Sequence, residues 1–280
     1  MPELPEVESL TRALRPLAEG RTIKKATFYR TDLREEVPKS LFNKLLVAKK
    51  IERLSRRSKY LLFHTQKGVG IFHLGMTGNI LCYAEAKPKH KHTHAVFHLE
   101  KQGEEPLYLH YVDPRRFGFI SCCGQEELEN HRYFGHLGPE PLLEARLGDF
   151  LFAASRKRKT PVKSFIMDAK VLVGVGNIYA SEALFKAKIH PLTLAGQVDK
   201  KEWQRLGRAI KDTLKKAIKA GGTSFRDFKL SDGNKGYFAV SLNVYGREHK
   251  PCPACGLAIC QTRISNRSTF YCQNCQEKKP

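Results

Sequence analysis

The stretch CPACGLAICQTRISNRSTFYCQNC, residues 252–275, sets two Cys-x-x-Cys knuckles sixteen residues apart. Cys252, Cys255, Cys272 and Cys275 at this spacing can close tetrahedrally around one zinc ion, with no position left open for water, so the implied site is structural. Metal affinity then becomes folding energy for a small module. The segment between the knuckles reads as a β-hairpin presenting Arg263, Arg267 and Thr269 toward a phosphate. Two unrelated cysteine pairs are the plain alternative, and a zinc ribbon alone does not define an enzyme. The other cysteines, Cys82, Cys122, Cys123 and Cys260, are expected to be reduced thiols in an unexported protein.

Upstream of the tetrad the texture is helical. Residues 161–173 lead to the turn Gly174-Val175-Gly176-Asn177, and a helix follows to about Lys188, with Pro191 beyond it. Glycines before a helix bring backbone N–H groups close to a phosphate, although a plain connection explains them equally well. A longer helix over 199–220 puts Trp203, Leu206, Ile210, Leu214 and Ile218 on one face, and Gly221-Gly222 ends it. Thr223–Tyr237 is polar and contains glycine, so it reads as a loop.

Further upstream, residues 22–122 break into short β-type runs: Thr22–Tyr29, Lys59–Thr65, Gly70–Leu74, Ala95–Leu99, Leu107–Val112 and Phe117–Cys122. Such runs between Gly, Pro and charged turns predict a β-sandwich or barrel. Residues 123–160 read as a connection ending in the basic run Arg156-Lys157-Arg158-Lys159. At the start, Leu4, Val7, Leu10, Leu14 and Leu17 recur with helical spacing over residues 3–19.

The 280 residues carry 49 Lys and Arg against 28 Asp and Glu, a net charge of +21. An excess of this size favours polyanionic partners through release of phosphate counterions. No basic amphipathic helix with an aromatic face points to a membrane surface, and no apolar stretch is long enough to span a bilayer. Nothing at the N-terminus reads as a signal peptide. Removal of Met1 would leave Pro2 as a secondary amine able to attack an electrophilic carbon, with Glu3 beside it to move protons and Glu6 one turn along. Many proteins begin Met-Pro, and acidic residues favour a first helical turn for dipole reasons alone.

Five features occur together and in order: Met1-Pro2-Glu3-Leu4-Pro5-Glu6-Val7-Glu8, His73-Leu74-Gly75-Met76-Thr77-Gly78, Asp113-Pro114-Arg115-Arg116-Phe117-Gly118, Gly174 through Glu182, and the cysteine tetrad. The chain closely resembles formamidopyrimidine-DNA glycosylase essentially end to end. The resemblance implies an α+β protein. A β-sandwich with a leading catalytic helix (1–135) would be joined by a linker (136–160) to a helix–two-turn–helix domain (161–240) and a β-hairpin zinc finger (241–280).

By the same resemblance, Pro2 is the nucleophile at the sugar C1′ of a damaged nucleotide, and Glu3 the general acid and base. Glu6 is an acidic neighbour, and Lys59 contacts the phosphate beside the lesion. His92 touches DNA. Met76, Arg115 and Phe117 fill the gap left by the extruded base, and Lys163, Asn177, Tyr179 and Arg267 grip phosphates. Residues 223–237 resemble the loop that closes over an everted oxidised purine. The implied activity is excision of 8-oxoguanine and formamidopyrimidines from double-stranded DNA, then β,δ-elimination, by a bacterial cytoplasmic, nucleoid-associated monomer holding one structural zinc ion and needing no membrane. Two rivals stand beside this reading. One is the sister class acting on oxidised pyrimidines; the other is a noncatalytic DNA-binding zinc protein, for which the Pro2-Glu3 start would be coincidence.

Overall fold

The computed structural model describes residues 2–221 and 242–278. They fall into two compact units divided after Gly135. The first unit opens with helix α1 (Leu4–Ala18). Pro5 sits in its first turn, where no intrahelical donor is needed, and the Glu6 carboxylate accepts the Glu3 N–H at 2.8 Å. Leu4, Val7, Leu10 and Leu14 are buried along one face, as their spacing requires.

Strand β1 (Thr22–Phe28) and helix α2 (Lys39–Leu46) follow. Then come β2 (Ile51–Arg57), β3 (Tyr60–Thr65), β4 (Gly68–His73), β5 (Asn79–Tyr83), β6 (Thr93–Glu100), β7 (Leu107–Val112) and β8 (Phe119–Gly124). They build two antiparallel four-stranded sheets, ordered β1-β6-β7-β5 and β2-β3-β4-β8. This is the expected sandwich. Phe42 of α2 lies in its core, with ring centroids 5.5 Å from Phe97 of one sheet and 6.3 Å from Phe72 of the other. Edge and tilted contacts of this kind add to the burial of large apolar area.

The sequence reading placed neither α2, β2 nor β5. An eight-residue helix offers barely two turns of periodicity. In β2 only Ile51 and Leu54 are buried among charged neighbours.

The second unit contains α3 (Leu147–Ser155), α4 (Val162–Met167), α5 (Asn177–Lys186), α6 (Lys200–Lys219) and the hairpin β9 (Cys260–Ile264) and β10 (Arg267–Tyr271). Helix α6 carries a reciprocal cap: Asp199 accepts from Glu202 N–H, and Glu202 accepts from Asp199 N–H, each at 2.9 Å. Its apolar face buries Trp203, 5.6 Å from Phe165 of α4. Helix α3 lies within the stretch read from sequence as a connection. It is held because α3 and α6 cross at two glycines: a Cβ on Gly148 would stand 2.5 Å from Gln204 Cα, and one on Gly207 would stand 2.6 Å from Gly148 N. That close approach buries Leu147 and Leu151.

Among the described residues, no helix is long and apolar enough to cross a membrane. The 223–237 loop singled out from sequence lies outside the described residues.

Candidate active site and nucleic-acid interface

In the first unit, Pro2 directly precedes the capped start of α1, where Glu3 and Glu6 are both fully buried. The Glu6 carboxylate fixes the Glu3 backbone, so the two acids have different duties at the helix start. Glu8, one turn on, pairs with Arg12 at 2.7 Å and Arg56 at 3.0 Å. Burial alone would raise the Glu8 carboxyl, but hydrogen bonds from Arg12 and Arg56 together hold it below the usual carboxylate range. Arg56 also donates to the Ser58 carbonyl at 2.8 Å. The turn that carries Lys59 is thereby tied to α1. Ser58 adopts φ 55° in that turn, a left-handed conformation that L-residues visit rarely.

Lys59 reaches close enough to His73 to act on its charge. Burial, then the positive charges of Lys59 and Arg34, push the His73 imidazole down to about 4. Its neutral Nδ1 accepts the Gly75 N–H at 3.1 Å.

Met76, Arg115 and Phe117 occupy two turns of the same unit. Met76 is 38% exposed and Phe117 43%. The Arg115 guanidinium lies 4.6 Å over the Phe117 ring. The turns touch through backbone: a Cβ on Gly75, which has φ +60°, would meet Gly118 N at 2.3 Å. His92 is half-buried, and its ring lies 5.6 Å from that of His90.

In the second unit, the Lys163 side chain is buried to 1% exposure. Its ammonium donates to Asn177 Oδ1 at 2.7 Å, Thr269 Oγ1 at 2.7 Å and the Ser268 carbonyl at 3.2 Å. Asn177 Nδ2 donates to the same Ser268 carbonyl at 2.8 Å. One cation and one amide thus join α4 and the start of α5 to β10, about ninety residues further along the chain. Arg267 is exposed at the head of β10, and Tyr179 is buried in α5.

The Sγ atoms of Cys252, Cys255, Cys272 and Cys275 all lie within 4.8 Å of one another. Tetrahedral Zn–S bonds of about 2.3 Å imply sulfur separations of roughly 3.8 Å, so this soft-donor set fits one such ion. The cluster can bind a metal. The finger packs on the helices through Phe185 of α5 against Val244, Cys252, Ile259, Phe270 and Cys272. Fully buried Gln276 donates to the Ile189 carbonyl at 2.8 Å.

Sequence reasoning missed Glu182. Buried in α5, it accepts from Asn243 N and Nδ2, Val244 N and Tyr245 N at 2.8–2.9 Å, fixing the chain that enters the finger. It also missed Asp113, whose motif position was visible but whose partners were not.

Comparison with known proteins agrees with this architecture. Residues 1–120 match the formamidopyrimidine-DNA glycosylase N-terminal domain, and residues 137–229 its H2TH domain. The formamidopyrimidine-DNA glycosylase of Alkalilimnicola ehrlichii is 48% identical, covering 99% of this chain and 100% of that protein. The Stenotrophomonas maltophilia protein of the same name is 45% identical over the same shares. The Lactococcus lactis Fpg in complex with abasic-site DNA superposes with a TM-score of 0.88 at 29% identity, covering 99% of this chain and 100% of that one. The same enzyme bound to DNA containing N7-benzyl-Fapy-dG gives a TM-score of 0.88 at 29% identity, with the same coverage.

A sandwich led by a capped helix, followed by a helical unit with a four-cysteine finger, is thus the framework of a base-excision repair DNA glycosylase. The chain belongs to the formamidopyrimidine-DNA glycosylase family.

Proposed function

We propose that this chain excises oxidised purines, 8-oxoguanine and formamidopyrimidines, from double-stranded DNA and then cleaves the strand at the abasic site it creates. The observation that carries the reading is the setting of Pro2, joined directly to an acid pair in which Glu6 fixes the backbone of Glu3. Removal of Met1 turns Pro2 into a secondary amine. Its nitrogen lone pair forms a bond to the sugar C1′ as the C1′–N bond to the damaged base breaks, and the base leaves with the proton given up by the Pro2 nitrogen. Glu3 donates a proton to the ring oxygen as the sugar opens, which yields the iminium. Loss of a C2′ proton expels the 3′ phosphate, a second elimination expels the 5′ phosphate, and water releases the sugar remnant from Pro2. The product is a one-nucleotide gap bounded by phosphates.

The remaining residues serve extrusion and grip. Met76, Arg115 and Phe117 occupy the space vacated by the base, replacing lost stacking with apolar and cationic contact. Lys59, Asn177 and Arg267 hold phosphates, which fix register without reading sequence, and His92 touches DNA. Lys163 and Tyr179, expected from the resemblance to grip phosphates, are buried to 1% exposure and support those groups from within. The tetrad is assigned to zinc, which would supply folding energy to the finger and take no chemical part. The functional division follows residues 1–135, a connection at 136–160, the DNA-binding helices of 161–240 and the finger from 241. The protein works as a monomer in the bacterial cytoplasm at the nucleoid.

Borohydride reduction tests this directly. Duplex DNA with 8-oxoguanine opposite cytosine should be nicked with phosphates at both gap ends and, with borohydride, crosslinked to the protein; Pro2→Gly should abolish both. No crosslink from Met1-free, metal-loaded protein would exclude the amine mechanism. Crosslinking only on oxidised pyrimidines would move the substrate class.

A further inference from the structure

We propose that Asp113 is a positioning residue that sets the geometry of the gap-filling wedge, locking the turns of Met76, Arg115 and Phe117 into one rigid unit. Asp113 follows β7 and is fully buried. Its Oδ1 accepts the Thr77 hydroxyl at 2.6 Å and the Arg115 N–H at 3.3 Å, while Oδ2 accepts the Gly118 N–H at 2.8 Å. Thr77 adjoins Met76, and Gly118 adjoins Phe117. A single carboxylate therefore spans both wedge turns.

The backbone of Asp113 extends the anchor. Its N–H donates to the His92 carbonyl at 3.0 Å, and its carbonyl accepts His94 Nε2 at 2.8 Å. His92, Met76, Arg115 and Phe117, four of the residues assigned above to the damaged-base gap or DNA contact, thus lie within two residues of a group bonded to Asp113 or are bonded to it themselves.

The physical need is clear from the exposure of the wedge. Met76 and Phe117 are partly exposed, so part of what fixes their direction must come from backbone. Arg116, between two wedge residues, has φ 57°, a strained conformation for a residue with a Cβ. N–H bonds from Arg115 and Gly118 to one carboxylate hold that strain in place. Only an acceptor on both oxygens satisfies three donors from two turns, and an amide cannot. A loose wedge would bind DNA but seat poorly in the gap, because a small misplacement at a preorganised site costs rate.

The inference rests on the proposed extrusion chemistry, and the test separates the two. A duplex carries 8-oxoguanine opposite cytosine, with 2-aminopurine stacked beside that cytosine to report insertion by fluorescence. Wild-type protein should excise the base and change the fluorescence on binding; failure of both would refute the proposed function itself. Given an active wild type, Asp113→Asn should lower single-turnover excision by about tenfold or more, as loss of a charge-assisted hydrogen bond implies, and suppress the fluorescence change. Thr77→Val, which keeps the carboxylate, should cause a smaller loss of both signals, and Thr77→Ser should restore them. Wild-type excision and fluorescence in a folded Asp113→Asn protein would overturn the proposal. If Asp113→Asn does not fold, unchanged signals in Thr77→Val would overturn it equally.

Discussion

The Lys163 ammonium lies 2.7 Å from Thr269 Oγ1, across 106 residues of sequence, and this contact fastens the hairpin of the cysteine finger to α4. Because the same nitrogen also serves Asn177 and Ser268, the finger and the start of α5 are placed by one buried cation. The mutual position of the exposed Arg267 and the half-buried Asn177 is therefore a property of the interior and not of the surface.

Replacing Lys163 by Met should cost about 2–4 kcal/mol of stability, since three acceptors lose their donor in a buried site. Urea unfolding would measure it. Thr269→Val removes one of the three contacts and should cost about 1 kcal/mol. DNA affinity should fall in both variants, and further in Lys163→Met.

Removing the metal should unfold the finger selectively. Chelation, or Cys255→Ser, is expected to erase hydrogen-exchange protection over residues 252–276 while the sandwich of residues 2–135 keeps its own. Re-addition of zinc should restore protection to the chelated protein. Protection unchanged by chelation would show that the four sulfurs do not hold a metal that matters to folding.

Glu182→Gln should loosen the entry to the finger. The carboxylate accepts four N–H groups, and a glutamine turns one oxygen into a donor facing donors. The expected cost is about 2–3 kcal/mol, seen first as faster exchange at the Val244 and Tyr245 amides.

Acid should weaken the sandwich before it touches most carboxylates. Burial, then like charge from Lys59 and Arg34, depresses His73 to about 4, and burial, then Arg53, depresses His64 to about 4, against an ordinary value of 6.5. The unfolded chain therefore takes up these protons first. Stability contributed by the neutral imidazoles is complete above pH 6.5 and is lost progressively as pH falls toward 4. Urea midpoints measured between pH 7 and 4 should drop, with a shallower slope in His73→Gln.

The parts of this protein legible in sequence are those written in local periodicity or spacing. The cysteine tetrad is a spacing. Helix α6 is a stripe from Trp203 to Ile218, and β7 was bounded correctly at Leu107 and Val112. Helix α2 was illegible because eight residues barely establish a helical period. Helix α3 was illegible because its order depends on the backbone crossing at Gly148 and Gly207, which no single segment encodes.

The same division holds at the candidate site. Residue chemistry was enough to suggest Pro2, Glu3 and Glu6, because reactive groups are named by type, while the wedge residues and the phosphate contacts came from the resemblance of ordered motifs to a known family. Their supports were decided only by tertiary structure. Asp113 gathers donors from residues 77, 115 and 118, and Lys163 gathers acceptors from residues 177, 268 and 269. A buried charge must find partners wherever the folded backbone brings them, so the sequence names the charge, and only the folded chain selects the partners.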